Sequence, residues 1–517
     1  MFTLGDITAK RAKLGGQHEA LVFEDVRLTY AQFHDRTVKL ARALLARGLK
    51  PGDRLAVVAE NSHRFMDLMF AAAHAGLVFT PLNFRLTPRE LSFMLEDSGS
   101  AALFADDVSW ELAQSVREAG CAGRPLFAIG SASGAVATHE QLIKEGADAP
   151  PLAVTVSEND LAALIYTGGT TGLPKGVMLT HRNLITSTAS IAMELKYTED
   201  DTTLMVLPMF HVAIWQVLCH LMVGARVVVR ARADIADLLA TIQRERCTNM
   251  NAVPTLYNWI VSSPELDNYD LSSLRMLSYG GSPFPEEVLR RCIKRFGPIF
   301  TQGYGLTEAA PSVSFLSARD HVIEGPRAKL LLSAGRELPL SEVRIGDADG
   351  NEVPRGQPGE VLVRGANVMK GYWNNENLTR ERLRGGWLHT GDIGTMDDEG
   401  YIFLLDRKAD MIVTGGENVY PTEIEAVLYT HPAVQECIVA SAPDDKWGER
   451  VQAAVVLRKG AEVTEQDLLA FCRDKLANYK CPKRIEFRDM LPKSQVGKLL
   501  RKDVRNDFWG GVQRQIR

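Results

Sequence analysis

Thr29-Tyr-Ala-Gln-Phe-His-Asp-Arg-Thr-Val-Lys-Leu-Ala-Arg-Ala-Leu-Leu-Ala-Arg-Gly48, followed by Leu55-Ala-Val-Val-Ala59, decides the fold class. Thr29 to Gln32 has the form of a capping box, and Phe33, Val38, Ala41, Leu44 and Leu45 recur behind it at helical spacing until Gly48 stops the run. Leu55 to Ala59 is a continuous apolar run, the pattern of a strand covered on both faces. The alternation returns along the chain. Phe65 to Leu82 reads as a buried helix followed by a buried strand, Arg226 to Arg230 as a strand before a helix over 234–247, and Leu274 to Ser278 as a strand before a helix over 286–296. Helix and strand in alternation predict α/β layers.

Between Leu338 and Tyr401 the texture changes to short β-rich runs punctuated by glycine, such as Glu342-Val-Arg-Ile345 and Gly359-Glu-Val-Leu-Val-Arg364, which predicts a β-rich subdomain. After Asp406-Arg407 a smaller α+β alternation resumes, with a helix near Thr422 to Tyr429, strands over 436–441 and 452–457, and a helix over 464–476. The expected division is a large N-terminal domain, 1–406, of α/β layers plus the β-rich subdomain, and a small mobile C-terminal α+β domain, 407–517.

The 517 residues exceed the usual size of a single core, and 45% hydrophobic with 24% charged residues is ordinary for a globular protein. A net charge of −5 argues against a nucleic-acid partner. Seven cysteines, odd in number and without a CxxC pair, suggest neither a disulfide framework nor a zinc site, so a cytoplasmic location is expected. Met1 to Lys13 lacks the apolar stretch of a secretory signal, and the 65–82 run is too short and too interrupted to be a transmembrane segment.

The segment that carries chemistry most visibly is Leu164-Ile-Tyr-Thr-Gly-Gly-Thr-Thr-Gly-Leu-Pro-Lys-Gly-Val-Met-Leu179, an apolar strand, a Gly/Thr-rich loop with a lysine, and a second apolar strand. Glycines let backbone N–H groups approach a phosphate, threonine hydroxyls add donors and Lys175 adds charge. The spacing is not that of a Walker loop, and a strand rather than a helix follows. Taken alone, the segment is equally compatible with a surface hairpin.

Tyr166-Thr-Gly-Gly-Thr-Thr-Gly-Leu-Pro-Lys-Gly176 resembles the signature loop of the adenylate-forming superfamily, which includes acyl-CoA synthetases, peptide-synthetase adenylation domains and luciferases. Leu207-Pro-Met-Phe-His211, Gln302-Gly-Tyr-Gly-Leu-Thr-Glu308, Trp387-Leu-His-Thr-Gly-Asp392, Asp406-Arg407, Gly415-Gly-Glu-Asn-Val-Tyr-Pro421 and Pro492-Lys-Ser-Gln-Val-Gly-Lys498 resemble further blocks of the family, in the family's order. The resemblance spans nearly the whole chain. It implies that Thr167, Gly168, Gly169, Thr170, Thr171, Gly172 and Lys175 wrap the β- and γ-phosphates of ATP, that Thr307 touches the α-phosphate, and that Glu308 holds Mg²⁺. Tyr304 would stack on adenine beside Gly280, Gly281 and Ser282, within the block Gln302, Gly303, Tyr304, Gly305. Asp392 and Arg407 would bind the ribose. Lys498 would be the catalytic lysine placed between the acid's carboxylate and the α-phosphate, and His211 the residue at the mouth of the acyl tunnel.

The resemblance also places Val212, Ala213, Trp215 and Tyr279 along the acid pocket, as a mostly apolar lining without a charged partner for an amino group. A hydrophobic acid is therefore expected, fatty in first place, with an aryl acid as the other reading. Gly415 and Gly416 resemble the CoA-ligase form of the segment that approaches the pantetheine tunnel, and no carrier domain follows Lys498, so CoA is expected as acceptor. A stand-alone ligase that loads an acyl carrier protein and a catalytically silent nucleotide-binding homologue remain as alternatives, and a homodimer stays open. Two positions depart from the family pattern. Gly168 stands where serine is usual, and Ala409 where lysine or aspartate is usual at the domain pivot.

Overall fold

The computed structural model describes residues 2–510 except 121–122, 168–173, 212–213, 282–283, 285, 408–409, 415–416, 445 and 494–498, and the side chains of 119, 120, 215 and 216 are likewise left aside. The expected helix occupies Tyr30–Ala46, and Thr29 caps it in a reciprocal box with Gln32. Its apolar stripe, including Phe33, Leu40, Ala41 and Leu44, is buried in the largest core cluster. Truncating a fully buried ring such as Phe33 to alanine would cost about 3–5 kcal/mol. Val78–Leu82 is buried at every position, as is most of His63–Ala75 before it.

Among the described residues the strands form four sheets. A nine-stranded sheet has Phe300–Gly305, Met276–Gly280, Asn249–Ala252, Thr202–Met205, Arg226–Val229 and Glu19–Phe23 side by side and parallel, with antiparallel strands at its edges. A seven-stranded sheet has Arg54–Val58 and Val78–Leu82 at its centre and ends on the hairpin Leu161–Thr167 and Lys175–Thr180, to which Gly371–Tyr372 adds. These two sheets with their helices make the large N-terminal α/β domain.

The β-rich subdomain is a five-stranded antiparallel sheet that includes Ser341–Gly346, Gly359–Gly365, Trp387–Met396 and Ile402–Arg407. The smaller α+β domain has its own sheet, with Val434–Asp444 and Gly448–Leu457 paired along their length, and its own core of Val439, Ala453, Leu468 and Cys472 among others. The helices Pro421–Tyr429 and Glu465–Lys475 pack on it. The fold is thus the α/β architecture with a β-rich subdomain and a small α+β domain. No described helix is long and apolar enough to cross a membrane, and the six described cysteines are buried thiols.

Candidate active site

In an open parallel sheet, ligands bind outside the carboxyl ends of the strands, where the connecting loops part. In the nine-stranded sheet these ends are Gln302 to Gly305, Tyr279 to Gly281, Ala252 and the turn after Met205. Glycine is required at several of them. A Cβ on Gly280 would lie 2.5 Å from the Gly303 carbonyl oxygen, one on Gly303 would lie 2.9 Å from the Phe315 ring, and one on Gly305 would run into the Pro311 backbone. Neighbouring backbone and the Phe315 ring fill these positions, so glycine lets the strands pack closely, while the Cβ position at Gly281 meets nothing within 4 Å and leaves open space at the strand end.

Beside this edge the β-rich sheet supplies a charged cluster. Asp392 and Arg407 face each other across paired strands, with Nε 3.4 Å from Oδ1. The other carboxylate oxygen, Oδ2, accepts the Tyr304 hydroxyl at 2.7 Å. Burial, reinforced by the Asp392 charge, holds the Tyr304 phenol well above the ordinary tyrosine value, so it remains a donor. An aspartate steered by a tyrosine and an arginine at a strand end can accept two vicinal hydroxyl groups.

A second cluster joins three separate segments. Glu308 follows Thr307 in a short 3-10 turn, and Thr307 is buried. The Tyr372 hydroxyl donates to Glu308 Oε1 at 2.7 Å, and the Met369 N–H donates to the Glu308 carbonyl. Tyr372 is brought there because Gly371–Tyr372 pairs with Lys175–Thr180, the strand that begins with Lys175. Burial lowers the Lys175 pKa first and Arg382 lowers it further, while Glu308 and Glu381 pull it back up. Lys175 therefore stands in one electrostatic neighbourhood with Glu308 and Arg382. Among the described residues no three His, Cys, Asp or Glu side chains converge as a metal cage. A single carboxylate oxygen donor such as Glu308 beside substrate phosphates is the arrangement that suits Mg²⁺.

The loop bearing His211 is held from below. Asn61 Nδ2 donates to the carbonyls of Leu207 and Arg230, and Asn61 Oδ1 accepts the Met209 N–H at 2.7 Å. His211 itself is exposed and its carbonyl starts the helix Ile214–Val223. At the domain junction, Arg501 reaches Asp406 at 2.9 Å and Glu425 at 2.7 Å, and Arg505 reaches Asp410 at 2.8 Å. Burial pushes the Asp406 carboxyl up to about 6, against the pull of Arg501.

The family profile described as "AMP-binding enzyme" matches residues 8–373, and the one described as "AMP-binding enzyme C-terminal domain" matches 423–498. The chain belongs to the AMP-binding enzyme family. Within the adenylate-forming superfamily it falls in the acid:CoA ligase branch, so it is an AMP-forming ligase. It is 40% identical to a feruloyl-CoA synthase of Amycolatopsis sp over 98% of this chain and 99% of that protein. It is 35% identical to the long-chain-fatty-acid–CoA ligase FadD13 of Mycobacterium tuberculosis over 98% and 99%. The solved o-succinylbenzoate CoA synthetase of Bacillus subtilis, in complex with an acyl-adenylate intermediate, superposes with a TM-score of 0.84 at 33% identity, over 96% of this chain and 97% of that one.

For this AMP-binding enzyme the structure gathers Thr307, Glu308 and Lys175 into one cluster, with Thr167 opposite Lys175 across the hairpin. It gathers Tyr304, Asp392 and Arg407 into the other, beside Gly280, Gly281, Gln302, Gly303 and Gly305. Gly168, Gly169, Thr170, Thr171, Gly172, Val212, Ala213, Ser282, Ala409, Gly415, Gly416 and Lys498 lie outside the described residues, as does the Trp215 side chain. Tyr279, expected along the acid pocket, is packed in the core. It is 2% exposed, its ring packs edge-on against Phe284 at 4.8 Å, and its hydroxyl meets His321 Nε2 at 3.0 Å. Side chains alternate along a strand, so Tyr279 points into the opposite core from Ser278 and Gly280.

Sequence reasoning passed over Tyr372, Arg382 and Asn61. Tyr372 sits in a two-residue strand and Arg382 ends a helix without one buried side chain, so neither lies in a periodic segment. Asn61 is a lone amide between a strand and a helix, and only its three hydrogen bonds mark it.

Proposed function

We propose that this ligase uses ATP to activate a hydrophobic carboxylic acid as its acyl-AMP and then transfers the acyl group to CoA. In the first step a carboxylate oxygen forms a bond to the α-phosphorus while the bond to the β-phosphate oxygen breaks, and pyrophosphate leaves. In the second the CoA thiol sulfur bonds to the acyl carbon, AMP leaves, and the thiol proton passes to solvent. The observation that carries the reading is Asp392 held between the Tyr304 hydroxyl and Arg407 beside the glycine-rich strand ends.

Each group then has a task. Tyr304 with Gly280, Gly281 and Ser282 forms the adenine slot, and Asp392 and Arg407 take the ribose hydroxyls. The loop from Thr167 to Lys175 cradles the β- and γ-phosphates, and Thr307 donates to the α-phosphate. Glu308, oriented by Tyr372, would hold Mg²⁺, which offsets phosphate charge when bound. Lys498 spreads positive charge over both reacting anions as the bond order shifts, and His211 stands where the acid meets the thiol. Gly415 and Gly416 line the approach of CoA.

Residues 1–406 serve as the ATP- and acid-binding domain, and 407–517 as the mobile domain that presents Lys498 for adenylation and withdraws it for thioester formation. The separate sheet and core of the small domain support a division there, and Arg501 and Arg505 of the helix Arg501–Trp509 pair with Asp406 and Asp410 at the junction. The enzyme works in the cytoplasm on small molecules. Incubation with ATP, Mg²⁺, hydrophobic acids and CoA, read by mass spectrometry, should give AMP, pyrophosphate and an acyl thioester. ADP as product, or acyl transfer to a carrier protein alone, overturns the reading.

A further inference from the structure

Arg382 is the last residue of the helix Glu376–Arg382, which carries no buried side chain. What fixes this helix is the short strand before it. The Tyr372 N–H donates to Thr379 Oγ1 at 2.8 Å, and a Cβ on Gly371 would lie only 2.7 Å from the Thr379 methyl carbon. At the other end Arg382 Nη1 donates to the His389 carbonyl at 3.1 Å and would lie 2.7 Å from a Cβ on Gly391. The helix thus runs from Tyr372, whose hydroxyl donates to Glu308, to Gly391, the neighbour of Asp392. Its final guanidinium stands between the two charged clusters.

That guanidinium has more donors than the protein uses. The N–H of Nε and one N–H of Nη2 point the same way, as a fork that matches two oxygens of a phosphate. Nε is buried without an acceptor, and among the described residues only Nη1 is hydrogen-bonded and Arg382 forms no ion pair. Its charged neighbour is a second cation, Lys175, whose pKa is lowered by burial and then by Arg382. The carboxylates close by do not balance this pair, since Glu308 is engaged by the Tyr372 hydroxyl and Glu381 is exposed. Like charges away from bulk water repel, and an anion that bridges them turns the repulsion into binding.

We propose that Arg382 is a further phosphate-binding residue of this ligase, which together with Lys175 holds the pyrophosphate part of ATP. The inference rests on the ligase reading above. As the acid's carboxylate oxygen bonds to the α-phosphorus, the bond from that phosphorus to the bridging oxygen breaks, and its electron pair stays on the β-phosphate. A guanidinium and an ammonium fixed beside that oxygen offset the charge as it builds up. AMP and acyl-AMP have neither the β- nor the γ-phosphate, so the fork does nothing for them. A clamp that only closed the helix on the strand Trp387–Met396 would instead serve every nucleotide alike, because Asp392 is on that strand.

The test is calorimetric binding of magnesium pyrophosphate, ATP and AMP to the intact enzyme, for the parent and for Arg382→Gln. In the variant the dissociation constants of pyrophosphate and ATP should each rise at least about 10-fold, the scale of a lost hydrogen bond to a charged group. That of AMP should stay within about twofold, and thioester formation from supplied acyl-AMP and CoA should stay near the parental rate. Arg382→Lys keeps the charge without the fork and should recover part of the loss. Should Arg382→Gln fail to fold, Arg382→Lys must still weaken pyrophosphate at least about threefold more than AMP. Equal losses for AMP and ATP make Arg382 a structural clamp, and an unchanged pyrophosphate affinity removes it from the site. Either result overturns the inference and leaves the ligase reading standing, whereas a parent that binds none of the three overturns both.

Discussion

The clusters at the strand ends, proposed to hold the nucleotide, take their groups from short contiguous blocks, Gln302 to Glu308 and Trp387 to Asp392, whereas the polar side chains under the helix Ile214–Val223, Tyr197, His220, Asn249 and Ser278, come singly from distant parts of the chain. The first is built where backbone must pass close to a constant ligand, which fixes glycines and donors at set spacings. The second is a sheet face under a helix, where any strand can change one side chain without disturbing its neighbours. The strand-end clusters should therefore set the rate for every acid alike.

The largest expected effect is at Lys498. Lys498→Ala should lower acyl-AMP formation at least about 10²-fold for every acid, the scale of one lost preorganised contact, with the ratio between acids unchanged. Given acyl-AMP and CoA, the same variant should form thioester near the parental rate. A loss that differs between acids would break the comparison.

Tyr372→Phe removes the donor to Glu308 Oε1. A hydrogen bond to a charged group is worth about 1.5–3 kcal/mol, so adenylation should fall at least about tenfold with a raised Mg²⁺ requirement. An unchanged Mg²⁺ titration would show that Tyr372 does not orient Glu308.

Acidification should separate the two regions. The first helix, Leu4–Gly15, packs against the helix Ile214–Val223, which follows His211. It is held there by His74, whose Nε2 is 2.9 Å from Thr8 Oγ1, and by His181, whose Nδ1 accepts the Leu4 N–H at 3.2 Å. Burial depresses both rings from 6.5, to about 3 for His74 and about 4 for His181. The unfolded chain then takes up protons first, so this stabilisation is complete above pH 6.5 and is lost as pH falls towards 4 and 3. Thermal unfolding temperature should fall over that window, and the KM for the acid should rise before that for ATP. If a His181→Asn variant, whose amide does not titrate, kept the full parental pH profile, the effect would lie elsewhere.

The smallest effect belongs to Tyr279→Phe on the far face of the same strand. Loss of its bond to His321 should cost about 1 kcal/mol of stability and leave acid selectivity within about twofold. A change in acid preference would place Tyr279 along the acid pocket.

The strand ends show how far periodicity reaches. The run at Leu274 to Ser278 predicts a strand, and the structure places it two residues later, at Met276–Gly280. Glycine is a poor strand former, yet Tyr279 and Gly280 pair with Gln302 and Gly303, and partner strands override the local preference. The helix over 286–296 needed no such help, because its stripe and polar face are complete within eleven residues.

By itself the sequence determined the α/β layers, the β-rich subdomain, the small α+β domain and membership of the AMP-binding enzyme family. Helical and strand periods are local, and a phosphate or ribose site imposes residue types at close spacing. Tertiary structure alone decided that Tyr372 meets Glu308, that Asn61 holds the His211 loop, that Tyr279 faces away, and that polar side chains meet under the helix Ile214–Val223. The reason is physical: which face of a strand meets the ligand, and which distant segments pair, depend on register and packing between elements far apart in the chain.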